Sequence, residues 1–366
     1  MLDSFPQRTY WPTINWQTRA PQAVGFQPDR FVSMQAYIDE YLPGLHALLI
    51  VRNGYLAFEH YYQGFHQNSL NSISSVTKSV ISALIGIALA QGQLHSLDQH
   101  MLDFFPEIAE QEQDPRKQAI TLRHLLSFQT GFTETYPHEF WRDIVHSSLR
   151  RPMVEQPGER FFYDNRSVDI LSGILTQVTG MKAAAFADQT LFEILGIWRN
   201  EDTRFSWKHE ETGPHMWHAD ALWDEQDGYP WKVSPQGTST GSFGAHFTAR
   251  DMAKLGFLYL NHGQWDGTQI IPQDYSAAST HKQSNGGPPV NANYGYLWWI
   301  EQVQGFQAFF ASGFGGKYIY VIPELDLIVV TAASTEQAQK DREQHNKIRA
   351  LIPDFILPAL SSSTLG

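Results

Sequence analysis

From Val80 to Ala90 nearly every position is apolar, with Val80, Ile81, Ala83, Leu84, Ile85, Ile87, Ala88, Leu89 and Ala90 broken only by Ser82 and Gly86. A helix that is apolar all round belongs inside a protein, and this run is too short to cross a bilayer. Elsewhere the period changes. Leu45 to Val51 and Tyr55 to Tyr62 flank Asn53-Gly54 and predict a β-hairpin, because Asn-Gly suits the primed turns that match strand twist. Leu122, Leu125 and Leu126 after Thr121, and Val168 to Val178 before Gly180, predict helices. Asp251 to Leu260 predicts an amphipathic one. Tyr296 to Val303, Phe306 to Ala311, Lys317 to Ile322 and Leu325 to Thr331 are short β-rich runs separated by Gly or Pro and predict an antiparallel meander. From about Glu336 to Leu357 the pattern returns to helix, with Pro353 as a kink. Residues 1 to about 30 have no period and predict an arm laid over the surface.

Early strands, a helical middle and late strands predict an α/β (α+β) fold: one antiparallel sheet built from both ends of the chain, flanked by helices, with an inserted mainly helical domain. The expected division is 1–74 with 236–366 for the sheet domain and 75–235 for the helical one, with the active site at their interface.

Composition narrows the function. The 23 Phe, 15 Tyr and 11 Trp supply rigid apolar surface for a cleft. A formal charge of −12 without any cluster of Lys and Arg argues against nucleic acid and anionic membrane as partners. The absence of cysteine removes disulfides, thiol catalysis and thiolate metal sites. Met1 to Arg8 carries no secretory-signal pattern, so the expected location is cytoplasmic. No Gly-rich segment has the strand-loop-helix context of a phosphate-binding loop, and no cofactor is expected. No oligomeric state is read from the pattern.

Chemistry enters with Ser75-Val76-Thr77-Lys78 at the head of the apolar helix. Residues three apart share a helix face, so the amine can reach the hydroxyl. The helix start offers unpaired N–H groups and the positive end of the macrodipole to a developing oxyanion. Ser279-Thr280-His281-Lys282 has the same spacing but runs into Gln283-Ser284-Asn285-Gly286-Gly287-Pro288-Pro289, and is expected to be a polar loop. Tyr163-Asp164-Asn165 follows a turn-like Gln156-Pro157-Gly158-Glu159 and precedes a helix, so the phenol can project into a cleft; beside an ammonium it would ionise more easily and shuttle protons. Tyr259-Leu260-Asn261 repeats that spacing at what reads as a packed helix end. Gly237-Thr238-Ser239-Thr240-Gly241 matches a nucleophile elbow but lacks the required strand before and helix after, and reads as a loop. His215-Met216-Trp217-His218-Ala219-Asp220 could be offered as metal ligands, but such loops more often carry surface or pocket residues, and no metal is expected.

Ser75-Val76-Thr77-Lys78, Tyr163-Asp164-Asn165 and Ala311-Ser312-Gly313 occur in the order and approximate spacing of the serine β-lactamase and DD-peptidase superfamily, and the chain resembles the class C branch with its esterases and the 6-aminohexanoate-dimer hydrolase. Ile120 to Gly131, Phe247 to Ala253 and Tyr294 to Trp299 resemble further landmarks of that family, over roughly residues 40 to 335. The resemblance implies a β-lactamase/transpeptidase-like fold, Ser75 as acylated nucleophile, Lys78 as its proton partner and Tyr163 as general base and acid. It also implies that Asn165 hydrogen-bonds Lys78 and the acyl side of the substrate, that Ser312 and Gly313 line the substrate site, and that the backbone N–H groups of Ser75 and Phe314 form the oxyanion hole. The implied activity is a serine hydrolase acting on small ester or amide substrates, carboxylesterase-like. A β-lactamase or D-amino-acid amidase or peptidase, and a non-catalytic penicillin-binding or scaffold protein of the same fold, are the alternatives.

The third motif departs from the family's common forms in having Ala311 where many relatives carry Lys, or His or another variant. Without that cation, and with Lys317 beyond a Gly-rich turn, the expected substrate is a small uncharged ester rather than a carboxylate-bearing one.

Overall fold

The computed structural model describes residues 8–134, 143–198 and 229–361. Its principal elements, numbered in chain order, are helix α1 (Asp29–Tyr41), strands β1 (Leu45–Arg52) and β2 (Tyr55–Tyr61), and helices α2 (Thr77–Ala90), α3 (Asn165–Thr179) and α4 (Ala249–Leu260). Strands β3 (Ser284–Gly287), β4 (Ala292–Tyr294), β5 (Trp299–Val303), β6 (Phe306–Gly313), β7 (Lys317–Ile322) and β8 (Leu327–Ala333) follow, then helices α5 (Thr335–Lys340) and α6 (Gln344–Leu351) and two short turns, Ile352–Ile356 and Leu357–Ala359. The eight strands form one sheet in the order β2-β1-β8-β7-β6-β5-β4-β3, antiparallel throughout. The N-terminal hairpin therefore pairs with the last strand, as the pattern of early and late strands requires.

Register divides the sheet into two faces. Ala311 lies opposite Ile319, and the face carrying Ile319, Val321 and Ile328 packs around Gly256 of α4. Ser312 lies opposite Tyr318, and that face meets α6, where the Tyr318 hydroxyl is 2.6 Å from His345 Nε2. Helix α2 is buried from Thr77 to Ala88, as its all-round apolar pattern predicts. Its two internal serines are satisfied rather than exposed: Ser79 donates to the Leu297 carbonyl at 2.7 Å and Ser82 to that of Tyr296 at 2.7 Å. No single helix among the described residues is long and apolar enough to cross a membrane.

Several boundaries differ from expectation, each for a local reason. Strand β5 starts at Trp299 rather than Tyr296 because Leu297 adopts a left-handed φ of 61°. Strand β8 starts at Leu327, after a 3-10 turn over Pro323–Leu325 and Asp326 at φ 45°. Helix α3 starts at Asn165, three residues early, because the Asp164 carboxylate caps it by accepting from the N–H groups of Arg166 and Ser167. The C-terminal helix is broken at Asp341, whose backbone is extended. The second Ser-x-x-Lys copy is not a polar loop: Ser279 is the buried last residue of the helix Gln273–Ser279, and Ser284–Gly287 is the edge strand β3.

Candidate active site

Ser75 sits in a 3-10 turn, Ser74–Val76, that runs directly into α2. Ser74 before it has φ 47°, a conformation that costs a serine on the order of 1–3 kcal/mol. The turn is held by surrounding bonds: Ile73 donates to the Ala245 carbonyl at 3.0 Å, and Thr77 Oγ1 donates to the Ser74 carbonyl at 2.7 Å. The close approach of β6 also fixes it, since a Cβ on Gly313 would lie 2.5 Å from the Ile73 carbonyl oxygen. Glycine is required there by contact with the nucleophile turn.

Lys78 Nζ lies 2.9 Å from Ser75 Oγ and 2.6 Å from the Ser242 carbonyl. It is buried, and burial pulls its pKa down to about 7, against the opposing pull of Asp169 and Asp164. A neutral amine is thereby brought within reach near neutral pH. Such an amine can accept the Ser75 proton while still donating to Ser242.

Tyr163 projects from the cap of α3 into the same cleft, stacked on Trp299 at 5.6 Å between centroids and edge-on to Phe128 at 5.1 Å. Lys78 Nζ stands 5.0 Å from the centre of its ring. The expected easier ionisation is reversed: burial pushes the phenol up to about 12, outweighing its hydrogen bond with Ser75. The phenol is therefore held in its neutral, hydrogen-bond-donating form, whereas the Lys78 amine is drawn toward its neutral, proton-accepting form. Asn165 also departs from expectation. Lys78 bonds to Ser75 and Ser242 instead of Asn165, and the Asn165 Oδ1 atom is buried without a hydrogen-bond partner.

Sequence reasoning missed what holds Lys78. The buried Asp169 carboxylate, one turn into α3, accepts from the backbone N–H of Gly241 at 3.0 Å, from that of Ser242 at 3.2 Å and from Ser242 Oγ at 3.1 Å, and pairs with Arg166 at 2.9 Å. A Cβ on Gly241 would lie 2.1 Å from the Val168 carbonyl oxygen, so only glycine allows this seating. Thus the Gly237–Gly241 segment, no nucleophile elbow, is a loop pinned to α3 that delivers the Ser242 carbonyl to the lysine. An i, i+4 relation between Asn165 and Asp169 was the available signal, but the partner loop lies more than seventy residues away.

The cleft beside Ser75 and Tyr163 has a volume of about 640 Å³. Ser312, Gly313 and the half-exposed ring of Phe314 line it, as expected of the third motif. Ala311 does not, because it faces the α4 side of the sheet. Lys317 is buried under the turn, donating to the Phe314 carbonyl at 2.9 Å and to Thr335 Oγ1 at 3.0 Å. The expectation of a cleft without a cation nevertheless fails. Arg342, between α5 and α6, lines it. Its neighbour His345 does too, with Nε2 3.5 Å from Ser312 Oγ and a pKa pushed down to about 4, chiefly by burial. Among the described residues no group of three or more His, Asp and Glu could hold a metal ion; His215 to Asp220 lie outside them.

A 6-aminohexanoate-dimer hydrolase of Paenarthrobacter ureafaciens is 21% identical over 315 residues, covering 79% of this chain and 72% of the relative. A Bacillus anthracis structure assigned as a 6-aminohexanoate-dimer hydrolase superposes with a TM-score of 0.67 at 19% identity, covering 97% of this chain and 90% of that one. The octameric penicillin-binding protein homologue of Pyrococcus abyssi gives a TM-score of 0.64 at 19% identity, with 91% and 79% covered. At these identities the superpositions show a shared fold. The sequence profile of the beta-lactamase family spans residues 35–353, and with Ser75, Lys78 and Tyr163 gathered at one cleft, the chain belongs to the beta-lactamase family.

Proposed function

We propose that this protein is a serine hydrolase that cleaves small ester or amide bonds through an acyl-enzyme on Ser75, in the manner of a carboxylesterase. The observation that carries the reading is the buried Lys78 amine, 2.9 Å from the Ser75 hydroxyl with its pKa near 7. The neutral amine takes the Ser75 proton as Oγ bonds to the substrate carbonyl carbon. The negative oxygen that results is held by the backbone N–H groups of Ser75 and Phe314. When the tetrahedral species collapses, the alcohol or amine leaves with a proton supplied by Lys78 through the Tyr163 phenol. Water then attacks the ester on Ser75 by the reverse sequence, returning the hydroxyl and releasing the acid. Tyr163 serves as a proton-conducting hydrogen-bond donor rather than as a phenolate.

Amides are the second reading. Asn165 Oδ1, buried and unpartnered, suits a substrate N–H on the acyl side, and the P. ureafaciens relative is by its name a hydrolase of an aminohexanoate dimer. One panel tests both: p-nitrophenyl esters, D-amino-acid amides and nitrocefin, run beside fluorophosphonate labelling with the modified peptide mapped by mass spectrometry. Label on Ser75 with ester or amide turnover is the expected result. Absence of both label and turnover would leave a non-catalytic binding protein of this fold, and nitrocefin outpacing every ester would make it a β-lactamase.

A further inference from the structure

The turn between β6 and β7 has little rigidity of its own. Gly315 and Gly316 lie at φ 93° and 97°, and glycine backbone there passes readily to other conformations. Yet each carbonyl of the turn is tied down. That of Gly313 accepts from the Gly316 N–H at 3.2 Å, that of Phe314 from Lys317 Nζ at 2.9 Å, that of Gly315 from Gln344 Nε2 at 2.6 Å and that of Gly316 from Thr331 Oγ1 at 2.7 Å.

These bonds decide where the Phe314 N–H points. Among the described residues that N–H has no acceptor within the protein. A trans peptide sets its N–H opposite its carbonyl, so engaging the Gly313 carbonyl inside the turn directs the Phe314 N–H out of it. Gly313, Phe314 and Gly315 line the cleft together with Ser75. The peptide planes on both sides of the Phe314 Cα are held, one by Gly316 and the other by Lys317. A charged donor grips a carbonyl roughly twice as strongly as a neutral one. Lys317 is itself fixed by its second bond, at 3.0 Å to the hydroxyl of Thr335, the first residue of α5. It is only 1% exposed, and burying an amine this far is costly unless its bonds do something in return.

We infer that Lys317 is a positioning residue of the oxyanion hole: by holding the Phe314 carbonyl, it aims the Phe314 N–H at the oxygen that turns negative when Ser75 attacks. This rests on the hydrolase reading above. Acylation and deacylation both pass through that negative oxygen, which the bound substrate lacks, so the effect belongs to kcat and not to KM.

The test compares the full chain with Lys317→Met, Lys317→Arg and Thr335→Val, using p-nitrophenyl butyrate as substrate and phenylboronic acid as inhibitor, because a boronic acid forms a tetrahedral anion on a serine hydroxyl. Rates are taken per site that fluorophosphonate labels at completion. Lys317→Met should lower kcat about 30-fold and weaken the boronic acid by a similar factor, with KM within about twofold. The acid limb of kcat/KM near pH 7, which belongs to Lys78, should stay in place. Lys317→Arg should recover part of the loss, and Thr335→Val, which keeps the amine but loosens it, should cost about threefold in kcat. Unchanged kcat per labelled site in Lys317→Met, or a lower kcat with unchanged boronic acid affinity, overturns the inference while the hydrolase reading stands. If Lys317→Met does not fold, Thr335→Val decides, and unchanged kcat and inhibitor affinity there overturn the inference. Neither turnover nor label on Ser75 in the unmodified protein overturns both.

Discussion

Two motifs occur twice in this chain, once where a helix begins and once where a helix ends. Ser75-Val76-Thr77-Lys78 leads into α2 and Tyr163-Asp164-Asn165 into α3, whereas Ser279 is the last residue of its helix and Tyr259-Leu260-Asn261 closes α4. At a helix start, the chain arrives from an irregular segment open to a cleft, and N–H groups point outward to receive negative charge. At a helix end the logic inverts. The Ser279 hydroxyl turns back onto the Tyr275 carbonyl at 2.7 Å, and Lys282 lies beyond the helix, exposed. Equal spacing therefore yields a buried lysine on a serine in one copy and two unrelated side chains in the other. What differs is helix polarity, not residue type.

The largest effect that bears on this contrast is the loss of the first serine. Ser75→Ala is expected to lower kcat/KM for p-nitrophenyl esters by about 10³-fold or more and to abolish fluorophosphonate labelling. Retained labelling, mapped to Ser279 or Ser239, would show that helix polarity does not select the nucleophile.

Next come the two proton-handling residues. Lys78→Ala and Tyr163→Phe should each lower kcat by about 10²-fold or more, and the double variant should lose far less than the product of the two. In the unmodified protein kcat/KM should rise with pH through about 7 as Lys78 loses its proton. An acid limb well above that, near the ordinary lysine range, would mean that burial does not set the base.

A smaller effect concerns the clamp. Charged or titratable groups acting on Lys78 are Asp169 and Asp164, which favour its ammonium, Arg166, which opposes it, and Tyr163, whose ring it faces. Asp169→Asn removes a negative charge, so the lysine should hold its proton less tightly and the acid limb of kcat/KM should move to lower pH. Freed backbone at Gly241 and Ser242 should also cost roughly tenfold in kcat. A purely structural role would lower activity without moving the limb, and the pH profile separates the two.

The sheet was legible in the sequence because strands that alternate or run apolar between Gly and Pro turns carry their own signal. Hairpin β1–β2 and strands β6 and β7 lie within two residues of where the pattern puts them. Ser75, Lys78 and Tyr163 were legible because helix-start chemistry is local. Asp169, Ser242 and Arg342 were not: each acts across a long stretch of chain, and a buried aspartate on an amphipathic helix looks the same before folding as one facing water. Ala311 carries little weight for a related reason. It faces the α4 side of the sheet, whereas the α5–α6 region, with Arg342, lines the cleft.

The smallest expected effect probes the silent copy. Ser279 is fully buried, and its hydroxyl bonds to a carbonyl one helical turn back, so Ser279→Ala removes one buried side-chain hydrogen bond and one oxygen's volume. That should cost about 0.5–1.5 kcal/mol of stability, read as a fall in the urea midpoint with an unchanged slope. Activity should stay within about twofold, because the Ser82 hydroxyl that anchors α2 bonds Tyr296 and Tyr275 rather than Ser279. A tenfold loss of kcat with the urea midpoint unmoved would reverse the lesson: the helix-end copy would then be coupled to the cleft through Tyr275 and α2, and spacing would matter where polarity says it should not.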